Sequence, residues 1–263
     1  MLDGKIALIT GAGTGIGRET ALALAGEGCH VILTGRRQAE IDSVAAEITS
    51  RGGAASARAA DVTSSAAITT LMAWARAKCG PIDILVNNAG SAGRVRNVQW
   101  LDEADWNAIV AVNLDAVYLL SKAVLPDMLV RGGGTIVTIA SVAGLRPSLL
   151  GGAAYGAAKA GVANFMTYLR NTFRNQGLRA STIFPGEVST PILNNRPRPP
   201  TDVERARMPQ PEDVARAVLL CCSLPDRAVI EELVIMPTRM RDVSADLEIA
   251  RWLGAPADTP RPT

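Results

Sequence analysis

The sequence predicts an α/β domain built on one parallel sheet with helices on both faces. Short apolar runs alternate with longer amphipathic segments along most of the chain, a pattern typical of strand–helix–strand crossovers. The apolar runs are nearly continuous, as expected for strands that helices cover on both sides. The 263 residues, 48% of them hydrophobic, suit one large α/β domain or two small ones. About seven strands in this order favour a single doubly wound sheet, a Rossmann-like fold.

The ends of the elements are marked by glycine and proline. The amphipathic segments 17–28 and 37–52 each end at a glycine, and the helix over 211–224 has proline in its first turn. The strand over 178–186 ends in Pro-Gly. In chain order, strands are predicted over 5–10, 30–35, 54–61, 82–88, 134–141, 178–186 and 232–237, and helices over 17–28, 37–52, 66–80, 103–129, 153–177 and 211–224.

Charge and cysteine content point away from several classes of protein. Charged residues make up 20% of the chain and the net charge is +2, so nothing indicates nucleic acid or an anionic membrane as a partner. No apolar run reaches the roughly 18 residues of a transmembrane helix, and the N-terminus lacks the pattern of a secretory signal. Cys29, Cys79, Cys221 and Cys222 lack metal-ligand spacing, which predicts reduced thiols in a cytoplasmic protein and no metal site. His30, the only histidine, begins a predicted strand; a structural role there argues against a Ser-His-Asp hydrolase.

The domain is predicted to span 1–255, followed by a frayed tail over 256–263. The stretch "RPRPPTDVERARMPQP" at 196–211 is rich in proline and charge and lies between a strand and a helix. A linker between two domains is one interpretation. A mobile substrate loop over about 190–211 is favoured, because too little chain follows to form another domain.

A glycine-rich turn, "TGAGTGIG" at 10–17, joins the first strand to the first helix. Gly11, Gly15 and Gly17 permit a tight turn and let the backbone approach a pyrophosphate, while the helix N-terminus offers free N–H groups. A glycine-rich turn without a ligand is the alternative. Its place after the first strand of a doubly wound sheet favours dinucleotide binding.

The end of the second strand bears on the choice of dinucleotide. A carboxylate there would bind the ribose 2′-hydroxyl of NAD, but this sequence reads "TGRR", with Gly35 followed by Arg36 and Arg37. Guanidinium groups suit a 2′-phosphate, so NADP(H) is favoured over NAD(H). Both arginines can instead begin a helix and face water.

Two Tyr/Lys pairs have the same helical spacing. "YGAAK" at 155–159 and "YLLSK" at 118–122 each place a phenol and an ammonium on one helix face, about 5–6 Å apart at Cβ. Tyr155 lies among glycine and alanine, which leave room for a cofactor and a substrate, and its helix follows a strand that ends at Ser141. Close packing against another helix is the alternative explanation of these small residues. Tyr118 lies among Val117, Leu119 and Leu120, which predicts a packed, structural residue.

Taken in order, these motifs resemble the short-chain dehydrogenase/reductase family over roughly 3–190. The resemblance rests on "TGAGTGIG", "DV" at 61–62, "NNAG" at 87–90, "VNL" at 112–114, Ser141, "YGAAK" and "PG" at 185–186. It implies a catalytic tetrad of Asn113, Ser141, Tyr155 and Lys159. It also implies an NADP(H) site formed by Gly11, Thr14, Gly15, Ile16, Gly17, Arg36, Arg37, Asp61, Val62, Asn88, Ala89, Gly90, Tyr155, Lys159, Pro185, Gly186, Val188 and Thr190.

The resemblance assigns a role to each member of the tetrad. Tyr155 exchanges a proton with the substrate oxygen, and Lys159 is expected to lower the pKa of Tyr155 and to bind the nicotinamide ribose. Ser141 orients the substrate oxygen, and Asn113 takes part in a proton relay. The implied activity is hydride transfer between NADP(H) and a carbonyl or secondary alcohol, a CH–OH/C=O oxidoreductase. An epimerase or dehydratase of the same family and an NADP-binding sensor without turnover remain alternatives.

Three arginines and two long helices bear on the substrate and on assembly. Arg94, Arg96 and Arg146 lie in segments expected to border the substrate and can receive a carboxylate, although solvent-facing arginines are more common. The helices over 103–129 and 153–177 correspond to the usual dimer surface of the family, which implies a homodimer or homotetramer.

Overall fold

Seven parallel strands form one sheet in a computed structural model that describes residues 2–261. The strand order is β3-β2-β1-β4-β5-β6-β7, so the chain moves outward from β1 first to one edge and then to the other. The order reverses between β1 and β4, which opens a crevice at their carboxyl ends. The predicted doubly wound sheet is confirmed. The strands are β1 (Ile6–Thr10), β2 (His30–Thr34), β3 (Ala54–Ala57), β4 (Ile84–Asn87), β5 (Gly134–Ile139), β6 (Leu178–Pro185) and β7 (Glu232–Ile235).

Helices cover both faces of this sheet. Neighbouring residues of β1 show the division, since Ala7 and Ile9 belong to one apolar cluster and Leu8 to the other. Helices α1, α2 and α8 pack on the first face and α3, α5 and α6 on the second. The described residues form α1 (Gly15–Gly26), α2 (Gln38–Ser50), α3 (Ser65–Lys78), α4 (Glu103–Val110), α5 (Ala116–Val130), α6 (Ala153–Phe173), α7 (Asp202–Arg205), α8 (Pro211–Ser223) and α9 (Ser244–Trp252).

The predicted helix over 103–129 is interrupted. A π-helical turn, Ala111–Asp115, separates α4 from α5. Such turns are rare and often occur at functional sites, so an apolar helical pattern alone does not predict one. The whole segment Glu103–Val130 is long and apolar enough to cross a bilayer by length and composition, although polar residues interrupt it; core helices of water-soluble proteins pass the same test. Here the segment packs against β4, β5 and α6.

Two helices were not predicted. Helix α7 lies in the segment 190–211, which also holds a short 3₁₀ turn at Pro191–Asn195, and its Thr201/Glu204 capping box fixes its start. Helix α9 lies near the C-terminus, and its apolar face spans only 9 residues, fewer than the window over which a helical period is recognised. The mobility of 190–211 stays a prediction, and the last two residues of the proposed frayed tail lie outside the described range.

His30 lies at the opposite end of the sheet from the crevice. Its Nε2 hydrogen-bonds Ser56 Oγ at 2.9 Å and contacts the Cys79 thiol at 3.4 Å. This pairing ties β2 to β3 and to the end of α3, in agreement with a structural histidine. All four cysteines are free thiols.

Candidate active site

The glycine-rich turn approaches the end of β4 too closely for side chains. Gly11 and Gly15 have positive φ angles of 62° and 54°, which favour glycine. A Cβ on Gly17 would lie 2.3 Å from the Gly11 carbonyl oxygen and 2.4 Å from Asn88 Nδ2. The Asn88 amide in turn donates to the carbonyls of Thr10 (2.9 Å) and Gly11 (3.2 Å). The turn is therefore a fixed cradle of backbone atoms at the mouth of the crevice.

Gly17→Ala tests how tightly this cradle is packed. Because the new methyl group would overlap backbone atoms, we expect a loss of roughly 1–3 kcal/mol in the free energy of unfolding. Gly26→Ala is the matched control, since no atom lies within 4 Å of a Cβ at the exposed end of the same helix. That variant should gain about 0.4–1 kcal/mol. Urea unfolding of both proteins measures the difference, and equal stabilities would contradict the packing.

At the end of β2, the two arginines differ in their contacts. Arg37 pairs with Glu40 at 2.5 Å, whereas Arg36 is exposed and has no ion pair among residues 2–261. Arg36 lies near enough to Asp61 to contribute to a lowered pKa of that carboxyl, although hydrogen bonds from the Thr63 backbone and side chain are the larger causes. Of the two arginines, Arg36 is therefore the one available to an incoming anion.

Asn113 occupies the π-helical turn and is fully buried. Its amide nitrogen donates to the carbonyls of Ser91 (2.6 Å) and Ile109 (2.8 Å), while Oδ1 has no partner among the described residues. A Cβ on Gly90 would lie 2.8 Å from that oxygen and 3.8 Å from Lys159 Nζ. The glycine therefore lets the amide oxygen and the ammonium border one small space, and both remain available to a bridging polar group.

Ser141, Tyr155 and Lys159 meet beyond the carboxyl end of β5. Ser141 follows that strand, and its Oγ accepts a hydrogen bond from Ala143 N at 3.1 Å. Tyr155 lies in the first turn of α6, where burial raises the pKa of the phenol and a hydrogen bond with Ser141 opposes the rise. Lys159 Nζ lies 5.6 Å from the centre of the Tyr155 ring and donates to the Ile139 carbonyl at 2.8 Å. Burial lowers the pKa of Lys159 to about 8.

The lowering of the pKa of Tyr155 by Lys159 stays a prediction. The Lys159 ammonium lies 5.6 Å from the centre of the Tyr155 ring, and burial raises the pKa of the phenol. After the Ser141 hydrogen bond, the charges that oppose this rise belong to Arg96 and Arg196. Arg196 was missed as a site residue, because only the folding of the segment after β6 brings it near α6.

The segment after β6 closes the other side of the crevice. Gly186 N donates to the Ile235 carbonyl at 2.8 Å, so Pro185 and Gly186 are held against β7. Val188 and Thr190 are 5% and 8% exposed, and the Thr190 methyl lies 3.2 Å from the position of a Cβ on Gly15. The predicted residues after β6 and those of the glycine-rich turn therefore line one crevice.

The second Tyr/Lys pair lies elsewhere. Lys122 Nζ donates to the Tyr118 hydroxyl at 3.3 Å, and Tyr118 meets Phe165 edge-on at 6.2 Å between ring centres. Within the single chain the prediction of a packed Tyr118 is wrong, since 43% of the residue is exposed. Helix α5 buries Val117 and Leu120 instead and turns Tyr118 outward.

Comparison with known proteins agrees with this geometry. Residues 5–200 match the family model described as short chain dehydrogenase. The chain belongs to the short-chain dehydrogenase family. It is 36% identical over 232 residues to a 3-oxoacyl-[acyl-carrier-protein] reductase of Synechocystis sp., covering 87% of this chain and 93% of that protein. It is also 40% identical over 195 residues to a 2-keto-3-deoxy-L-fuconate dehydrogenase of Xanthomonas campestris, covering 74% of this chain but only 62% of that protein.

Solved short-chain dehydrogenase structures superpose closely on the fold. A metagenomic short-chain oxidoreductase in complex with NADP has a TM-score of 0.79 and 34% identity, over 91% of this chain and 99% of that one. A 3-ketoacyl-(acyl-carrier-protein) reductase from Brucella melitensis complexed with NADH has a TM-score of 0.82 and 30% identity, with the same two coverages. Proteins similar to this short-chain dehydrogenase therefore include complexes with both dinucleotides.

Proposed function

We propose that this chain is an oxidoreductase that transfers a hydride between NADP(H) and a carbonyl or secondary alcohol substrate. The observation that carries the proposal is the meeting of Ser141, Tyr155 and Lys159 beside a glycine cradle at the carboxyl ends of the strands. Family membership and dehydrogenase and reductase relatives support the same reaction class.

The residues of the crevice fit a nicotinamide dinucleotide. Gly11 and Gly17 form a cradle that a Cβ would fill, and Gly90 leaves the same kind of space beside Lys159. We assign the pyrophosphate to the turn over 10–17, the adenosine end to Arg36, Asp61 and Val62, and the nicotinamide end to the segment 185–190, with Lys159 at its ribose. When bound, the nicotinamide supplies or accepts the hydride.

The chain's own residues then handle the proton. In reduction, the Tyr155 hydroxyl donates its proton to the developing alkoxide, and in oxidation the phenolate takes it back. Ser141 donates a hydrogen bond to the substrate oxygen and holds it at the phenol. Lys159 and the unpartnered Oδ1 of Asn113 border one space, from which a proton can return to Tyr155.

NADP(H) preference is assigned to Arg36, the exposed arginine that has no acidic partner in the described part of the chain. Arg36→Ala should weaken NADPH binding roughly 10- to 100-fold, because a charge-assisted hydrogen bond to the 2′-phosphate is lost, and should change NADH binding little. Fluorescence titration with both dinucleotides measures the two Kd values. Arg51→Ala is the control, an exposed arginine at the end of α2. Equal losses for NADPH and NADH would refute the preference.

The reaction class is tested with a panel of carbonyls and secondary alcohols, each with NADP(H) and NAD(H), read by nicotinamide absorbance. Net absorbance change identifies an oxidoreductase. An epimerase or dehydratase would convert its substrate without net change, and a sensor would bind dinucleotide and convert nothing. Either of these results would overturn the proposal.

We also propose that the protein is cytoplasmic and that it forms a homodimer or homotetramer through the surface of α5 and α6. Tyr118 on α5 and Tyr168 on α6 are 43% and 56% exposed, and Val130 at the end of α5 is 89% exposed. Exposed apolar residues on two adjacent helices are typical of a subunit contact.

A further inference from the structure

Arg96 is a buried cation without an acidic partner. The residue is 3% exposed, and no carboxylate among residues 2–261 lies within ion-pair distance of it. Nη1 donates to the Gly151 carbonyl at 2.9 Å, while Nε is buried and has no hydrogen-bond partner in the same range. Burial lowers the pKa of Arg96 to about 10, which leaves the guanidinium charged at neutral pH. Buried charges are costly unless they are paired, so this one requires an explanation.

The position of Arg96 adds a second reason to expect an anion. Arg96 Cδ lies 2.8 Å from where a Cβ on Gly152 would be, and the Arg96 carbonyl accepts from Ala153 N at 3.0 Å. These contacts place the arginine at the N-terminus of α6, whose first turn contains Tyr155. That turn has no acidic residue and no side-chain cap. The partial positive charge of the helix end therefore adds to that of the guanidinium.

The carboxylates around Arg196, the arginine whose charge acts on Arg96, are already paired. Glu187 binds both Arg196 and Arg241, and Asp246 binds Arg241 and Arg198. Glu204 completes this ionic network, which joins the segment after β6 to α9. The network holds three cations and three carboxylates in total, so it has no spare negative charge for Arg96.

The other two arginines that the sequence offered as carboxylate ligands differ from Arg96. Arg94 and Arg146 are both exposed, as expected of arginines that face water. Of the three arginines, only Arg96 is therefore buried by folding. In Arg96, Nη1 is already used, and the Nε–Nη2 edge is the side of the guanidinium that suits two parallel bonds to a carboxylate.

We propose that Arg96 binds the carboxylate of the substrate, so that this enzyme acts on hydroxy acids or their oxo-acid counterparts. The inference rests on the proposed oxidoreductase function. With the carboxylate at Arg96 and the reacting oxygen at Tyr155, the carbon that exchanges a hydride lies a short chain away from the acid group. A neutral alcohol would leave the buried guanidinium without a partner and is disfavoured for that reason.

The test compares hydroxy acids with their uncharged methyl esters. Racemic 2-hydroxybutyrate, 3-hydroxybutyrate and 4-hydroxypentanoate, each beside its methyl ester, are assayed for oxidation with NADP⁺ and NAD⁺. Binding of the same compounds is measured by calorimetry in the presence of dinucleotide. For the acid of best length, kcat/KM should exceed that of its ester roughly 10- to 100-fold. Arg96→Met should make the kcat/KM values of acid and ester similar, mainly by raising KM for the acid. Arg96→Lys should restore part of the preference for the acid.

Arg94→Met is the matched control, because it removes the same charge from an exposed position of the same segment and should keep the preference. Dinucleotide Kd and Tm report whether Arg96→Met folds; if it does not, the Arg96→Lys variant and the acid-to-ester ratio of the unaltered enzyme decide. The inference is overturned if the unaltered enzyme has equal kcat/KM for acid and ester, or if the acid-to-ester ratio of kcat/KM is unchanged in the Arg96 variants. Oxidation of neutral secondary alcohols without any acid binding overturns it too, while the oxidoreductase proposal stands. Acid binding that depends on Arg96, without turnover of any compound in the wider panel, supports the carboxylate site and overturns the oxidoreductase proposal.

Discussion

Tyr155→Phe should lower kcat by roughly 10²–10⁴-fold, the contribution of a positioned proton donor. The substitution removes only the hydroxyl oxygen, whose pKa Ser141, Arg96 and Arg196 act to lower. The ring stays beside Lys159, so the crevice keeps its shape and dinucleotide binding should change little. Steady-state kinetics on the best panel substrate, with dinucleotide Kd by fluorescence, separates the two effects.

Tyr118→Phe is the matched control for this prediction. The chain offers the same Tyr/Lys spacing on α5, with a Lys122–Tyr118 hydrogen bond of 3.3 Å, but away from the crevice. Loss of that exposed hydroxyl should leave kcat and KM unchanged. Full activity in Tyr155→Phe, or equal losses in the two variants, would mean that another group donates the proton.

Lys159→Met should lower kcat/KM by roughly 10²–10³-fold, the effect of removing one charged donor from an active site. Lys159 is 3% exposed and borders the same space as Asn113 Oδ1, so its loss should impair both proton return and dinucleotide binding. Lys122→Met, at the equivalent position of the second pair, should keep full activity. An equal loss of activity in Lys159→Met and Lys122→Met would contradict a specific role of Lys159 in the active site.

The same substitution should stabilise the fold at neutral pH. Burial lowers the pKa of Lys159 from 10.5 to about 8, so the unfolded chain holds this proton more tightly than the folded one. The penalty for burying the charge is present in full below pH 8 and disappears as the pH rises toward 10.5. We expect Lys159→Met to raise the free energy of unfolding by on the order of 1–3 kcal/mol at pH 7. The lost hydrogen bond to the Ile139 carbonyl reduces this gain, and the gain becomes smaller at alkaline pH. Urea unfolding from pH 7 to pH 10 measures this, and a pH-independent difference would contradict the buried charge.

Interactions close in sequence were the most predictable part of the site. Tyr155 and Lys159 lie four residues apart, and helix geometry alone places them on one face. The glycine-rich turn was equally readable, since a strand must reverse into a helix there. The packing of the Tyr155 hydroxyl was not predictable from this spacing, and burial raises its pKa. The same limit applies to Tyr118, whose exposure follows from which side of α5 faces the sheet.

The order of the seven strands, the glycine cradle, the Tyr/Lys pair of α6 and the family resemblance were all predictable from the sequence. Each of these is recorded in local spacing or in the period of apolar residues. The folded chain was needed to show that Asn113 lies in a π-helical turn, with an amide oxygen that has no partner within residues 2–261. It was also needed to show that Arg96 is buried while Arg94 and Arg146 face water. Burial and charge pairing depend on contacts between segments far apart in the chain, such as Arg96 with Gly151 or Glu187 with Arg241, and no local pattern specifies them.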